Sequence, residues 1–153
     1  MELGLVADTH GYLGCDVLAA LEGCDHILHA GDVGDGVLSA LRGIAPVTAV
    51  RGNNDTSGEA AGLPEIATVD SPAGPIAVVH RLVDAPPEGW EIVVFGHCHR
   101  QHAYRGEDGR LFANPGAAGR RGFHRARSVA RLRIEGGSAS VEFVDLGLRK
   151  AAP

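Results

Sequence analysis

Five short apolar runs in this chain each lead into residues that can bind metals or protons. Leu3-Gly4-Leu5-Val6-Ala7 runs into Asp8-Thr9-His10, and His26-Ile27-Leu28-His29-Ala30 into Gly31-Asp32. Val47-Thr48-Ala49-Val50 leads to Gly52-Asn53-Asn54-Asp55, Ile76-Ala77-Val78-Val79 to His80, and Ile92-Val93-Val94-Phe95 to Gly96-His97-Cys98-His99. Runs of this length, closed by turn signals, read as buried strands. Proteins of the α/β class place their chemistry in the loops at strand ends. The repetition therefore constrains the fold: the strands must bring their polar ends together at one site.

Gly96-His97-Cys98-His99 is the densest of these clusters. Side chains two apart in extended chain point the same way, so His97 and His99 are expected to face one site and Cys98 to face away. Asp8 and His10 have the same spacing. A mixed set of carboxylate, amide and imidazole groups suits a borderline divalent metal such as Mn, Fe, Co, Ni or Zn. No CxxC pair occurs, so thiolate-rich structural zinc is not indicated.

The 153 residues, 44% apolar and 22% charged, suit one soluble domain spanning 1–153 with a sizeable core. A net charge of −5 argues against dedicated nucleic-acid binding. No apolar stretch reaches the roughly 18 residues of a membrane span, and the first strand starts without a signal-like segment. Three scattered cysteines make no disulfide framework, and the cytoplasm is the expected compartment.

The first half alternates strand and helix, with helices expected over Leu13–Leu21 and Val37–Leu41. This βαβαβ pattern implies a parallel sheet with right-handed crossovers. The second half reads as short strands near Glu65–Val69, Pro75–Val79, Glu91–Phe95, Gln101–Arg105, Arg110–Ala113, Ser128–Ile134 and Ser140–Leu146. Gly-Glu-Asp-Gly at 106–109 is a hairpin signal. The sum is two sheets packed face to face with helices outside. Residues 150–153 are expected to fray.

The order DxH, GD, GNxD, a lone His and then GHxH resembles the calcineurin-like metallophosphoesterases. The short length and Asn114-Pro115-Gly116 are similar to the small prokaryotic, YfcE-type phosphodiesterase branch. The resemblance implies an α/β fold, a four-layer α-β-β-α sandwich of two mixed sheets flanked by helices. It implies two divalent metal ions, Mn first among Mn, Fe, Zn, Ni and Co. Asp8, His10, Asp32 and His99 match the ligands of one metal. Asp32, Asn53, His80 and His97 match those of the second, with Asp32 bridging. Two such metals, ~3.5–4 Å apart, can share a hydroxide that attacks phosphorus in line. The implied substrate is a small phosphodiester, and homo-oligomers are frequent among small relatives. The alternatives are a phosphomonoesterase or nucleotide pyrophosphatase on the same site, or a non-catalytic interaction module that kept the fold, as among eukaryotic trafficking relatives.

Three departures from the family pattern stand out. Asn54 replaces the histidine of many larger relatives; it can donate a hydrogen bond to the phosphate but cannot deliver a proton at neutral pH. Slow turnover of poor leaving groups is expected. Arg81 follows His80 where glycine is usual, so it either crowds the metal or contacts phosphate. The stretch between His80 and Gly96 is short where relatives carry a helix, which leaves an open site or a surface for self-association; Trp90 is a candidate in either, with strand packing its first reading. His29 reads as a core or supporting residue, and His26, His102 and His124 as surface or strand residues. Arg120, Arg121, Arg125, Arg127 and Arg131 read mainly as a solvated face, one of which could reach the substrate phosphate. Asn114 is expected to support the site.

Overall fold

The computed structural model describes residues 1–149; the expected fraying of 150–153 lies outside them. β1 (Glu2–Val6), β2 (His26–His29) and β3 (Val47–Ala49) are joined by crossovers carrying α1 (Cys15–Ala20) and α2 (Val37–Arg42). The strands pair in parallel, β1 with β2 and β2 with β3. A one-turn α3 (Gly58–Ala61) follows, and then β4 (Ile66–Val69), β5 (Ile76–Val79), β6 (Ile92–Val94), β7 (Gln101–Arg105) and β8 (Leu111–Pro115). These five form a second sheet in the order β4-β5-β6-β8-β7. Its centre is parallel and its two edge pairings are antiparallel. β9 (Ala126–Glu135) and β10 (Ser138–Leu148) form a long hairpin that returns to the first sheet, giving the order β10-β9-β1-β2-β3. Both sheets are mixed, with β9 antiparallel to β1.

Alternation along the strands explains the layering. Leu3, Leu5 and Ala7 of the first strand segment, with Leu28 and Ala30, face Ile76, Val78, Ile92, Val94, Leu111 and Ala113 of the second sheet. Val6 and Ile27 point to the opposite face, where Val17, Leu21, Val37, Leu38 and Leu41 of the helical layer bury them. A period of two on the strands thus meets a period near 3.6 on the helices. Gly4 shares that outer face, where a Cβ would come within 2.7 Å of the Leu21 side chain, so the close approach of α1 favours glycine there. Truncating a fully buried residue such as Leu28 to Ala should cost about 2–5 kcal/mol.

The outer face of the second sheet has no helix among the described residues. Ala77, Val79, Val93, Phe95 and Trp90 cluster there with Leu82 and Ala85, from a segment that holds a single 3-10 turn at Leu82–Asp84. Trp90 is 6% exposed, donates its indole N–H to the Pro86 carbonyl at 2.6 Å, and meets Phe112 edge-on. It packs the short segment onto the sheet. The hairpin turn at 106–109 closes as its sequence predicts, with Gly106 N–H donating to the Arg110 carbonyl. α1 is shorter than expected, starting at Cys15, and no sequence signal had marked α3. Among the described residues, no helix is long and apolar enough to cross a membrane.

Candidate metal centre

The loops after β1, β2, β3, β5 and β6 all open at the same end of the two sheets. Their backbone explains how they converge. Asp8, His10, Asp32, His97 and His99 have positive φ, between 48° and 73°, and among the described residues no other non-glycine residue does. An L-residue in this region costs about 1–2 kcal/mol. Strain concentrated in this way marks a site held by the surrounding structure. It also corrects the expectation from extended chain: Asp8 and His10, like His97 and His99, converge through left-handed turns, and strand alternation plays no part. Gly31, at φ 96°, lies against His80, where a Cβ would come within 2.5 Å of Nδ1.

The side chains predicted as ligands meet in one cluster. Asp32 Oδ2 lies 3.4 Å from His80 Nε2 and 3.8 Å from His10 Nε2. Asp8 Oδ1 lies 3.4 Å from His99 Nε2 and 4.0 Å from His80 Nε2. Asn53 Oδ1 faces two ring nitrogens, His80 Nε2 at 2.9 Å and His97 Nδ1 at 3.2 Å. Two sets are close enough to share a cation: Asp8, His10 and His99, and Asp8, Asp32 and His80. Asp8 is therefore common to both sets, while Asp32 stands between His10 and His80, the pair expected on different metals.

Supporting contacts fix the ligand atoms. His80 donates its Nδ1–H to the Ala30 carbonyl at 2.7 Å, so that the neutral ring would offer Nε2 to a cation; without one, Nε2 faces the acceptors Asn53 Oδ1 and Asp32 Oδ2. The His97 backbone N–H donates to Asp8 Oδ2 at 3.1 Å. Asn54 donates its backbone N–H to Asp32 Oδ1 and its side-chain N–H to Oδ2, both at 2.9 Å, so in this geometry its amide is engaged with the carboxylate. Burial works to raise the Asp32 carboxyl, but the His80 imidazole and the Asn54 donors outweigh it and hold the group well below the usual carboxylate range. Burial opposes charge on His80, yet the Asp32 carboxylate, the Ala30 carbonyl and Asp8 push its pKa up.

The cluster suits a cation. Asp8 Oδ1 is fully buried and has no hydrogen-bond partner. Buried polar atoms almost always have one. Carboxylate, amide and imidazole donors together match borderline divalent metals. His99 adds a condition: its Nδ1 accepts the Phe123 backbone N–H at 2.9 Å, so the neutral ring carries its proton on Nε2, which lies 3.4 Å from Asp8 Oδ1 without forming a hydrogen bond to it. Ligation through Nε2 requires the proton on Nδ1 and the Phe123 N–H withdrawn.

Three further residues support the cluster: Asn114 and His29, as the sequence suggested, and Asp55, which carried no role in the sequence reading. Asp55 accepts the backbone N–H groups of Val33, Gly34 and Gly52, at 2.9 to 3.1 Å, and so ties the Asp32 loop to the Asn53 loop. An acid closing Gly-Asn-Asn-Asp was the available signal. Asn114 donates to the Gly96 carbonyl at 3.1 Å and to Cys98 Sγ, holding the loop between the two histidines. His29 is fully buried outside both candidate metal sets; its Nδ1 accepts Gly31 N–H and its Nε2–H meets Thr9 Oγ1, which itself donates to the Val33 carbonyl. Burial holds its pKa down at about 4.

The arginines divide. Arg127 pairs with Asp16, Arg131 with Glu2, and Arg125 with the Arg149 carbonyl, all away from the ligands. Arg120 lies over the Tyr12 ring, and Arg121 lines a cavity with His10, Asn53, Asn54, His97 and His99. Arg81 turns to Asp84 at 3.3 Å and borders a second cavity beside His80. His26 meets Thr48, His102 lies beside Tyr104, and the exposed Cys98 receives only the Asn114 amide.

Residues 1–137 match the model of the calcineurin-like phosphoesterase superfamily domain. No curated protein sequence matches. Solved structures share the fold at low identity. Zn-complexed Vps29 from Entamoeba histolytica is 22% identical, covering 95% of this chain and 99% of that one, with a TM-score of 0.74. An archaeal phosphodiesterase is 20% identical, with coverages of 94% and 100% and a TM-score of 0.75. A predicted phosphoesterase from Streptococcus pneumoniae is 24% identical, with coverages of 94% and 88% and a TM-score of 0.72.

Proposed function

This chain belongs to the calcineurin-like phosphoesterase superfamily, and on that premise we propose that it is a metal-dependent phosphodiesterase acting on a small phosphodiester. Residues 1–153 act as one domain in this reading. Asp8, His10, Asp32, Asn53, His80, His97 and His99 hold two divalent ions, Mn before Fe, Zn, Ni and Co. When bound, such ions lower the pKa of water to near neutrality and neutralise phosphoryl charge. The carrying observation is Asp8, common to both candidate ligand sets, with its buried Oδ1 accepting no hydrogen bond.

The protein's own groups do the rest. His80 presents Nε2 because Ala30 holds its Nδ1–H. Asp32 stays ionised, and its carboxylate, between His10 and His80, would help hold the ions and offset their charge. Asn54 orients the phosphate once its amide is released from Asp32. Since Asn54 cannot deliver a proton, activated aryl esters turn over faster than alkyl esters. Free thiols at Cys15, Cys24 and Cys98 suit a reducing, cytoplasmic setting.

Asp32→Asn should remove metal binding and hydrolysis together; activity retained after full metal loss contradicts the reading. Rates on a diester and its monoester separate this activity from a phosphomonoesterase. The likeness to Vps29 supports a second reading, a protein-interaction module. A stable heteromeric complex, with no hydrolysis under any of the five metals, would favour it.

A further inference from the structure

Phe123 stands exposed beside the candidate ligands, at 73% of its surface, where a large apolar ring is costly to leave in water. One face lies nearly parallel on His99, with ring centroids 4.3 Å apart and 19° between the planes. The ring also lines a cavity of about 520 Å³ together with His10, Asn53, Asn54, His97 and Arg121. The flanks of its loop are tied down. Buried Arg149 donates to the carbonyls of Ala117, Gly119, His124 and Ala126. Gly122 is wedged between the Arg149 guanidinium, 2.8 Å from a Cβ placed there, and His99 Nδ1, at 3.0 Å.

Arg121 lies at the boundary of this cavity and a second one lined by His10, Gly11, Tyr12 and Arg120. The other arginines of the cluster are committed to Asp16, Glu2, a carbonyl or the Tyr12 ring. A cationic fork beside the ligands favours a phosphate oxygen. The apolar surface on offer is one flat ring in an otherwise polar cavity, which fits a planar, polar-edged ring far better than an acyl chain.

We propose that Phe123 and Arg121 form a nucleoside subsite, in which the base of a nucleotide phosphodiester stacks on Phe123 while Arg121 pairs with its phosphate. The proposal rests on the metal-site reading above and names its substrate class. Stacking of a base on an aromatic side chain is sequence-tolerant and strong enough to shift affinity roughly tenfold or more.

The test is calorimetric binding of thymidine 5′-monophosphate and of methyl phosphate to Mn-loaded protein. Both ligands carry the same phosphate chemistry, so their ratio reports the nucleoside alone. The ratio should be roughly tenfold or more in favour of the nucleotide, fall toward unity in Phe123→Ala, and persist in Phe123→Trp. If the alanine variant fails to fold, Phe123→Leu, which keeps apolar bulk without a π face, gives the same reading. No preference in the native protein, or a preference that survives both truncations, overturns the subsite. Nucleotide preference without hydrolysis of any diester would contradict the proposed reaction and leave the subsite standing; hydrolysis without preference would do the reverse.

Discussion

Asp8 Oδ1 faces His99 Nε2 at 3.4 Å, yet it accepts no hydrogen bond and is sealed from solvent. A buried carboxylate oxygen in this state is destabilising until a cation or a donor reaches it. Asp8→Asn should therefore leave the metal-free protein as stable as before, or more so, while abolishing its response to metal. At about a hundredfold excess over Kd, metal should add about 2.7 kcal/mol to the native protein, or roughly 5–10 °C in Tm for a chain of this size. Scanning calorimetry with and without Mn²⁺ checks both halves. Equal metal stabilisation in the variant would remove Asp8 from the site.

The Phe123 amide should report the arrival of metal. Its N–H now donates to His99 Nδ1 at 2.9 Å. Ligation through Nε2 forces the proton onto Nδ1, where two hydrogens would collide. In a titration with diamagnetic Zn²⁺, the Phe123 amide resonance should move upfield as that bond breaks, with one-to-one saturation of the His99 site. A resonance that stays in place at full occupancy would exclude His99 as an Nε2 ligand.

His29 should make the protein acid-sensitive. Burial lowers its pKa from 6.5 to about 4. As pH falls below 6.5 the unfolded chain takes up a proton that the folded state refuses, so the stability from neutral His29 is full above 6.5 and is lost down to about 4. The loss totals about 3 kcal/mol. His29→Gln should flatten the difference in denaturation midpoint between pH 7 and pH 4. An unchanged acid slope would mean that His29 protonates freely in the folded state.

Asp55 should matter to the metal without touching it. It accepts three backbone N–H groups from the two loops that carry Asp32 and Asn53. Charge-assisted bonds of this kind are worth about 1.5–3 kcal/mol each to stability when broken singly. Asp55→Asn should lower stability and weaken metal affinity roughly 10–100-fold, readable from urea denaturation and metal titration. Loss of stability with native affinity would confine Asp55 to folding.

Much of the architecture was legible because buried strands announce themselves. The runs at Leu3–Ala7, Ile76–Val79 and Ile92–Phe95 are apolar on both faces, since sheet partners and a second layer bury both sides. The return of the β9–β10 hairpin to the first sheet was not legible, because an alternating strand such as Ala126–Glu135 carries no mark of its partner. The polar strand ends pointed to the cluster, but the means of convergence was hidden: Asp and His tolerate positive φ better than most residues, yet nothing in the sequence marks that Asp8, His10, Asp32, His97 and His99 all adopt it. Asp55 and Phe123 were missed for a related reason. Asp55 looks like ordinary turn chemistry until its three donors from distant loops are seen. Phe123 sits in a Gly- and Arg-rich stretch whose path depends on Arg149, far along the chain.

The central claim is tested most directly by hydrolysis of bis(p-nitrophenyl) phosphate with metal-stripped protein, titrated with Mn²⁺. The account predicts no turnover without metal, and turnover that saturates as two ions bind per chain. Absence of turnover with Mn²⁺, Fe²⁺, Co²⁺, Ni²⁺ and Zn²⁺ alike, or full turnover in the stripped protein, would contradict it.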